Sequence, residues 1–248
     1  MLKLKLSTER GRADVQGRAR KLEVPQEAMP IVKRLMAKYQ LDFECVNVLG
    51  RTFYFLHVSD LTPLLTGDVF KNAPDFPFWV KIWEASLVLA EFVAKMPPDP
   101  TKRLLEVGAG LAVPGMVASS FGHDVTVTDY EDEILDFARA SAIINNCPDL
   151  KCSPLDWFEP SDLGKFDIIL ASEVLFHKRF FQPLLDVLNE YLAPGGVIYM
   201  SHEADRETLL PFFRMCEDQF RIAMQKRHFK RGDKELDILL TRLTRITH

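Results

Sequence analysis

Two glycines and two carboxylates are the first residues in this chain whose types and spacing suggest chemistry. The run LLEVGAG covers Leu104 to Gly110, and the run VTVTD ends at Asp129. A short apolar strand broken by Gly108 and Gly110, answered about twenty residues later by a second strand ending in an acid, has the spacing of a βαβ unit that holds a ribose. A nicotinamide fingerprint needs a further glycine where this chain has Val113. Glu106, just ahead of Gly108, would repel a pyrophosphate and attract a cation or a hydroxyl-rich ligand. A cationic cofactor without phosphate meets both demands. S-adenosylmethionine carries a sulfonium, an ammonium and a ribose with two free hydroxyls. It would set Glu106 near its amino-acid end and Asp129 at the ribose, where a carboxylate offers one oxygen to each hydroxyl. Capping the helix that follows is the competing role for Asp129.

Three further runs flank this centre. KIWEASLVLAEFV (Lys81 to Val93) precedes the first core strand, SPLDW (Ser153 to Trp157) accompanies the third, and ILASEVLFH (Ile169 to His177) accompanies the fourth. With the glycine run, these motifs make the chain resemble the class I, seven-strand methyltransferases, in particular the branch that includes the protein-lysine methyltransferases. The resemblance implies S-adenosylmethionine as cofactor and S-adenosylhomocysteine as product. It implies that Gly108 and Gly110 admit the methionine part, that Glu106 anchors it through charge-assisted hydrogen bonds, and that Asp129 with Tyr130 borders the ribose. Asp156 and Trp157 would hold the adenine, and Trp83 would border the cofactor. Ala171 and Ser172 would end the fourth strand beneath the sulfonium, where bulk would block the methyl group. Two positions depart from the family pattern. Ala112 stands where the family has its third glycine, and Glu173, Val174, Leu175, Phe176 stand in place of Asp-x-x-Tyr. The carboxylate is kept with a longer reach, and the phenol is lost.

Methyl transfer is a direct displacement, so the protein mainly aligns nucleophile, methyl carbon and leaving sulfur and excludes water. Glu173 is the residue to orient a lysine amine and offset its developing charge, with Phe176, Trp79 or Phe78 supplying cation–π contacts. Surface solvation or capping is the plainer role for Glu173, and core packing is the plainer role for Trp83 and Trp157. His177 follows the fourth strand, and His202 with Glu203 the fifth, so the three can converge above the sheet. Metal-dependent methyltransferases of this fold use a ligand set richer in carboxylates and amides, and no metal is expected.

Bringing these residues together requires a mostly parallel sheet. From Lys102 the chain alternates strand and helix, with strands predicted at 103–107, 124–128, 151–155, 166–171 and 196–201. EDEILDFARASAIINN is a helix with Ile134, Ala138 and Ala142 on one face, and FRIAMQKRHFK with LDILLTRLT predicts a closing antiparallel pair. The expected fold class is α/β: a Rossmann-like, seven-stranded methyltransferase sheet with helices on both faces and an N-terminal helix plus β-hairpin extension. Residues 1–24 are charged without a period and predict a flexible arm. Residues 25–100 form the extension and 101–248 the core. Within the extension, a helix begins near Pro25 with Ile31, Leu35 and Tyr39 on one face. A hairpin turns at Leu49 and Gly50, and a loop runs from Asn72 to Pro77. A second helix carries Trp83, Leu87, Ala90 and Ala94 until Pro97 and Pro98 end it.

With 248 residues, 47% of them hydrophobic, the chain can bury one full core. No apolar run is long enough to span a bilayer, and MLKLKLSTERGR has charges where a signal peptide needs apolar residues, so no membrane partner and a cytoplasmic location are expected. Cys45, Cys147, Cys152 and Cys216 form no CxxC pair, which predicts reduced thiols. The net charge of -4 hides a segregation: residues 1–40 hold 10 Lys or Arg against 4 acids, 214–248 hold 9 against 5, and the stretch between holds 12 against 26. An acidic field around the cofactor motifs favours a cationic partner, such as a basic protein substrate, and disfavours nucleic acid. Plain solvation of the surface is the other reading of these charges. The expected function is S-adenosylmethionine-dependent N-methylation of a protein lysine. The alternatives are methylation of a small molecule beneath a lid made by the hairpin and arm, or a non-catalytic cofactor-binding module that has lost chemistry at Glu173 and Phe176.

Overall fold

Consecutive apolar residues in the core strands go to opposite faces of the sheet, and both faces are covered. Leu104, Val125, Val127, Ile168 and Leu170 belong to one buried cluster, while Leu105, Val107, Ile169, Ala171, Ile198 and Met200 belong to the other. This is why the strands read as unbroken apolar runs. The computed structural model describes residues 22–64 and 77–246. The predicted arm up to residue 21 and the predicted loop at 72–76 lie outside the described residues.

The sheet contains β3 (Arg103–Val107), β4 (Asp124–Asp129), β5 (Lys151–Pro154), β6 (Phe166–Ser172), β7 (Leu192–Glu203), β8 (Phe220–Arg231) and β9 (Lys234–Arg245), in the order β5-β4-β3-β6-β7-β9-β8. The first five in that order are parallel, and β9 runs antiparallel to both β7 and β8. Strand order therefore reverses between β3 and β6, which opens a crevice beyond their carboxyl ends. This is the Rossmann-like, seven-stranded sheet with a preceding helix and hairpin that the sequence predicts. β7 begins earlier than expected, at Leu192, and its register with β6 shifts between Phe166 and Ile168.

Helices α2 (Glu84–Ala94), α3 (Val113–Ser120) and α4 (Asp132–Ile144) cover the first face, and α5 (Phe181–Tyr191) and α6 (Leu209–Cys216) the second. In α4, Ile134, Ala138 and Ala142 are buried, as their spacing predicts. In α2 the buried stripe is Ala85, Leu89, Ala90, Val93 and Ala94, and Leu87 is only half-buried, because Trp83 precedes the helix and does not set its face.

Ahead of α2 lie α1 (Met29–Met36) and the hairpin β1 (Leu41–Val48) with β2 (Arg51–Val58). Helix α1 begins at Met29, after a turn closed by Ala28 N–H on the Pro25 carbonyl, and buries Val32 and Leu35. Tyr39 lies beyond its end and donates to Glu133 at 2.6 Å. The hairpin turns at Leu49 and Gly50, both at positive φ, the conformation a two-residue loop needs to match strand twist. Main-chain groups of β2 are satisfied by α4: Leu56 N–H donates to Ser141 Oγ, and Asn145 both accepts from Tyr54 N–H and donates to its carbonyl. This contact seats the hairpin on the core. The tip of the β8–β9 hairpin is fastened in turn, Arg231 to Glu44 of β1 at 2.7 Å and Lys234 to Glu84 at the start of α2 at 2.8 Å.

Candidate active site

The crevice beyond β3 and β6 is a cavity of about 610 Å³. Its wall includes every residue assigned from the sequence to cofactor binding or catalysis except Ala171: Trp83, Glu106, Gly108, Gly110, Asp129, Tyr130, Asp156, Trp157, Ser172, Glu173 and Phe176. Ala171 is wholly buried and pairs with Val107 and Met200. Strand pleating sends it into the second core cluster and leaves Ser172 to face the cavity. Ser172 shares a hydrogen bond with Ser201 of β7 at 3.1 Å.

The glycine turn is built by close packing. Gly108 has φ +60°, and a Cβ there would lie 3.0 Å from the Trp157 ring and 3.1 Å from Val174. The Trp157 indole thus rests on the turn, with Phe180 edge-on to it. A Cβ at Gly110 would meet the Trp79 main chain at 3.4 Å, so the segment leading to Trp83 passes directly over the turn. Ala112 is buried at φ +56° and precedes α3. Its left-handed backbone explains a family preference for glycine there. The sequence reading missed Gly115, where a Cβ would lie 2.5 Å from Glu106 Oε2 and would also strike Val127. A glycine just inside a helix is the available signal for such an approach.

Both acids are held by main-chain donors. Glu106 is buried and accepts from Gly115 N–H at 2.7 Å; burial pushes its carboxyl up to about 8, with that hydrogen bond opposing and Asp129 adding to the rise. Asp129 accepts from Gly110 N–H at 2.8 Å through Oδ2 and from Tyr130 N–H at 2.9 Å through Oδ1. Burial raises it to about 6 against those two bonds. Asp129 does not cap α4: the residue at the N-cap is Glu131, which makes no side-chain cap bond. Each Asp129 oxygen keeps a lone pair for a further donor. Asp156 accepts from Phe158 N–H, while Tyr130 is 60% exposed at the mouth.

At the other end, Glu173 has φ +55°, a strained backbone for a side-chain-bearing residue at a strand end. Its carboxylate accepts from Glu203 N–H at 2.7 Å and pairs with Arg206, a partner not foreseen from the sequence. The pair is sequestered, with side-chain exposures of 6% for Glu173 and 22% for Arg206. Burial raises Glu173 to about 6, with the Arg206 charge pulling the other way. Phe176 packs between Phe78 and Phe180, with ring centroids 4.8 and 4.9 Å away. Trp83 donates its indole N–H to the Phe78 carbonyl at 2.7 Å, and the Lys81 ammonium lies 3.7 Å above its ring.

His177, His202 and Glu203 do not converge. His177 accepts from Arg179 N–H through Nδ1, whereas His202 is wholly buried. Among the described residues no group of three or more His, Cys, Asp or Glu is placed to hold a metal ion.

Comparison with known proteins agrees with this architecture. A family model described as lysine methyltransferase matches residues 78–219, more than half of the chain. The chain belongs to that family. It is 34% identical over 128 residues to the protein N-lysine methyltransferase METTL21A of Danio rerio, a match covering 48% of this chain and 57% of the relative. It is 34% identical over 111 residues to the human histone-arginine methyltransferase METTL23, covering 42% and 58%. The matched region thus spans less than two thirds of these relatives. Among solved structures, the precorrin-6y C5,15-methyltransferase of Geobacter metallireducens superposes with a TM-score of 0.54 at 14% identity, covering 68% of this chain and 91% of that one. That likeness concerns the fold alone.

Proposed function

We propose that this protein methylates a side-chain nitrogen of a protein substrate, with lysine the favoured acceptor and S-adenosylmethionine the donor. One observation carries the reading: Asp129, fixed by Gly110 N–H, lies in the wall of the same cavity as the Phe78–Phe176–Phe180 stack. A carboxylate suited to a ribose and an aromatic wall suited to a cationic acceptor thus share one chamber.

The residues present fit the cofactor. Asp129 would accept from the ribose hydroxyls, Asp156 and Trp157 would meet the adenine, and Glu106 would attract the ammonium once ionised. The turn from Gly108 to Leu111 lines the same cavity and would border the amino-acid tail. When bound, the cofactor supplies an electrophilic methyl carbon on a positively charged sulfur. Phe78, Phe176 and Phe180 exclude water and offer ring faces to an entering amine. Glu173, held by Arg206 and Glu203 N–H, would orient that amine through a fixed hydrogen-bond acceptor. Because Arg206 already offsets its charge, Glu173 acts by position more than by net field. The acidic stretch between the basic ends of the chain favours a basic protein surface as partner. Among the described residues no helix is long and apolar enough to cross a membrane, and we place the reaction in the cytoplasm.

Incubation with methyl-labelled cofactor and fractionated lysate tests the proposal. Label in lysine residues of protein is the expected result. Label confined to small molecules would overturn the acceptor, and no transfer with intact cofactor binding would favour a non-catalytic module.

A further inference from the structure

Among the described residues the cavity wall is rich in carboxyl groups and poor in cations. Four carboxyl groups of the described residues line it, Glu106, Asp129, Asp156 and Glu173, against two cationic side chains, Lys81 and Arg179. A ligand with a zwitterionic amino-acid tail brings one anion, its carboxylate, into this acidic chamber. That carboxylate needs a cationic partner or a main-chain donor. At the start of α3, Gly115 N–H is already taken by Glu106, and the Gly110 N–H is taken by Asp129.

The two cations differ in place. Arg179 lies over the Phe180 ring, 4.5 Å from its centroid, and Phe180 packs against Phe158 and Trp157, beside Asp156. Since Phe180 also packs on Phe176, Arg179 belongs to the aromatic wall shared by the adenine residues and the acceptor stack. Lys81 lies between Trp79, whose main chain passes over Gly110, and Trp83, whose ring carries the Lys81 ammonium. It belongs to the end where the glycine turn admits the amino-acid tail. Among the described residues Lys81 makes no ion pair, and it is exposed. Its contact with the Trp83 face restricts the ammonium, and the carboxylate that feels its charge, Glu84, is already paired with Lys234.

We infer that Lys81 is the carboxylate-binding residue of the cofactor site, pairing with the α-carboxylate of S-adenosylmethionine or S-adenosylhomocysteine while Glu106 receives the α-ammonium. This rests on the cofactor reading above and adds to it the residue that recognises the ligand's only anion. Trp83 then acts on the cofactor indirectly, by fixing the angle at which Lys81 reaches the tail. A lysine at this position separates ligands that keep the carboxylate from those that have lost it.

Titration calorimetry of the full chain tests the assignment with two ligands, S-adenosylhomocysteine and its decarboxylated analogue adenosylthiopropylamine. Wild-type protein should bind the first more tightly. Lys81→Met should weaken S-adenosylhomocysteine by about 10- to 100-fold, as for loss of a charged hydrogen bond, and change the analogue by less than about twofold. Lys81→Arg should restore most of the difference. Equal loss for both ligands, or no loss for either, would overturn the role of Lys81 while leaving the cofactor reading intact. Wild-type protein that binds neither ligand would overturn both. Unchanged thermal melting of the ligand-free variants excludes a folding defect as the cause.

Discussion

The Glu106 carboxyl accepts the Gly115 main-chain N–H at 2.7 Å, and the two approach because position 115 has no side chain. A methyl group there would lie 2.5 Å from Oε2 and would also press on Val127, a core residue of β4. Gly115→Ala should therefore destabilise the protein by about 1–3 kcal/mol, the usual range for overpacking a buried contact. It should also weaken cofactor binding by displacing Glu106. Thermal unfolding with and without S-adenosylhomocysteine measures the two effects separately, and an unchanged melting temperature would contradict the close approach.

Asp129 links cofactor affinity to pH. Its carboxyl is raised to about 6 and that of Glu106 to about 8, so both hold protons in the free protein under conditions where exposed acids are ionised. A cationic, hydroxyl-bearing ligand prefers the ionised forms, so affinity should rise between about pH 5 and pH 8 and binding should release protons. Calorimetry in buffers of different ionisation enthalpy reads that release directly. Asp129→Ala should weaken binding by several-fold to about a hundredfold, matching about 1–3 kcal/mol for lost charged hydrogen bonds, and should remove the lower part of the pH dependence. Unchanged affinity would remove Asp129 from the ribose.

Glu173→Gln should leave S-adenosylhomocysteine affinity near normal and slow methyl transfer. Arg206 is a positioning residue for that carboxylate. Arg206→Lys should retain activity, whereas Arg206→Ala should cost stability, by about 3 kcal/mol for a broken buried pair. It should also shift the acidic limb of the pH–rate profile upward, since Glu173 loses the charge that opposes its burial. A profile that merely falls in height, with no displacement along the pH axis, would assign Arg206 to folding alone.

His202 offers a test on stability. It is wholly buried, neither ring nitrogen has a partner among the described residues, and burial with the nearby Arg206 charge lowers it from 6.5 to about 3. The folded protein holds this ring neutral while the unfolded chain protonates it, so stability should fall as pH drops from about 6.5 toward 3. His202→Leu, which also removes two unsatisfied polar atoms, should be less sensitive to pH across that window. Denaturant titrations at several pH values compare the slopes, and identical slopes would contradict the burial of a neutral imidazole.

Most of the fold was legible because each element leaves a local trace. Covered strands read as apolar runs, β1 and β2 announce themselves at Leu49 and Gly50, and α4 shows its buried face in Ile134, Ala138 and Ala142. The site was legible where one strand end supplies both the residue and its task, as at Gly108, Gly110 and Asp129. What depended on two distant segments was not. Arg206 reaches Glu173 only because β7 lies beside β6. Through the parity of the pleat Ser172 faces the cavity and Ala171 turns into the core, and one role given to two consecutive strand residues ignores that alternation. His177, His202 and Glu203 follow neighbouring strands, yet one histidine stays at the surface and the other enters the core, since sequence adjacency to a strand end says nothing about which way a ring turns.

At the tip of the last hairpin, Lys234 holds Glu84 at the start of α2, next to the segment that passes over the glycine turn, and Arg231 holds Glu44 of β1. A longer turn between β8 and β9 would move Lys234 away from Glu84 and free the start of α2 from that tie. Lengthening that turn offers a way to tune how long a ligand stays, with every residue that touches it left unaltered.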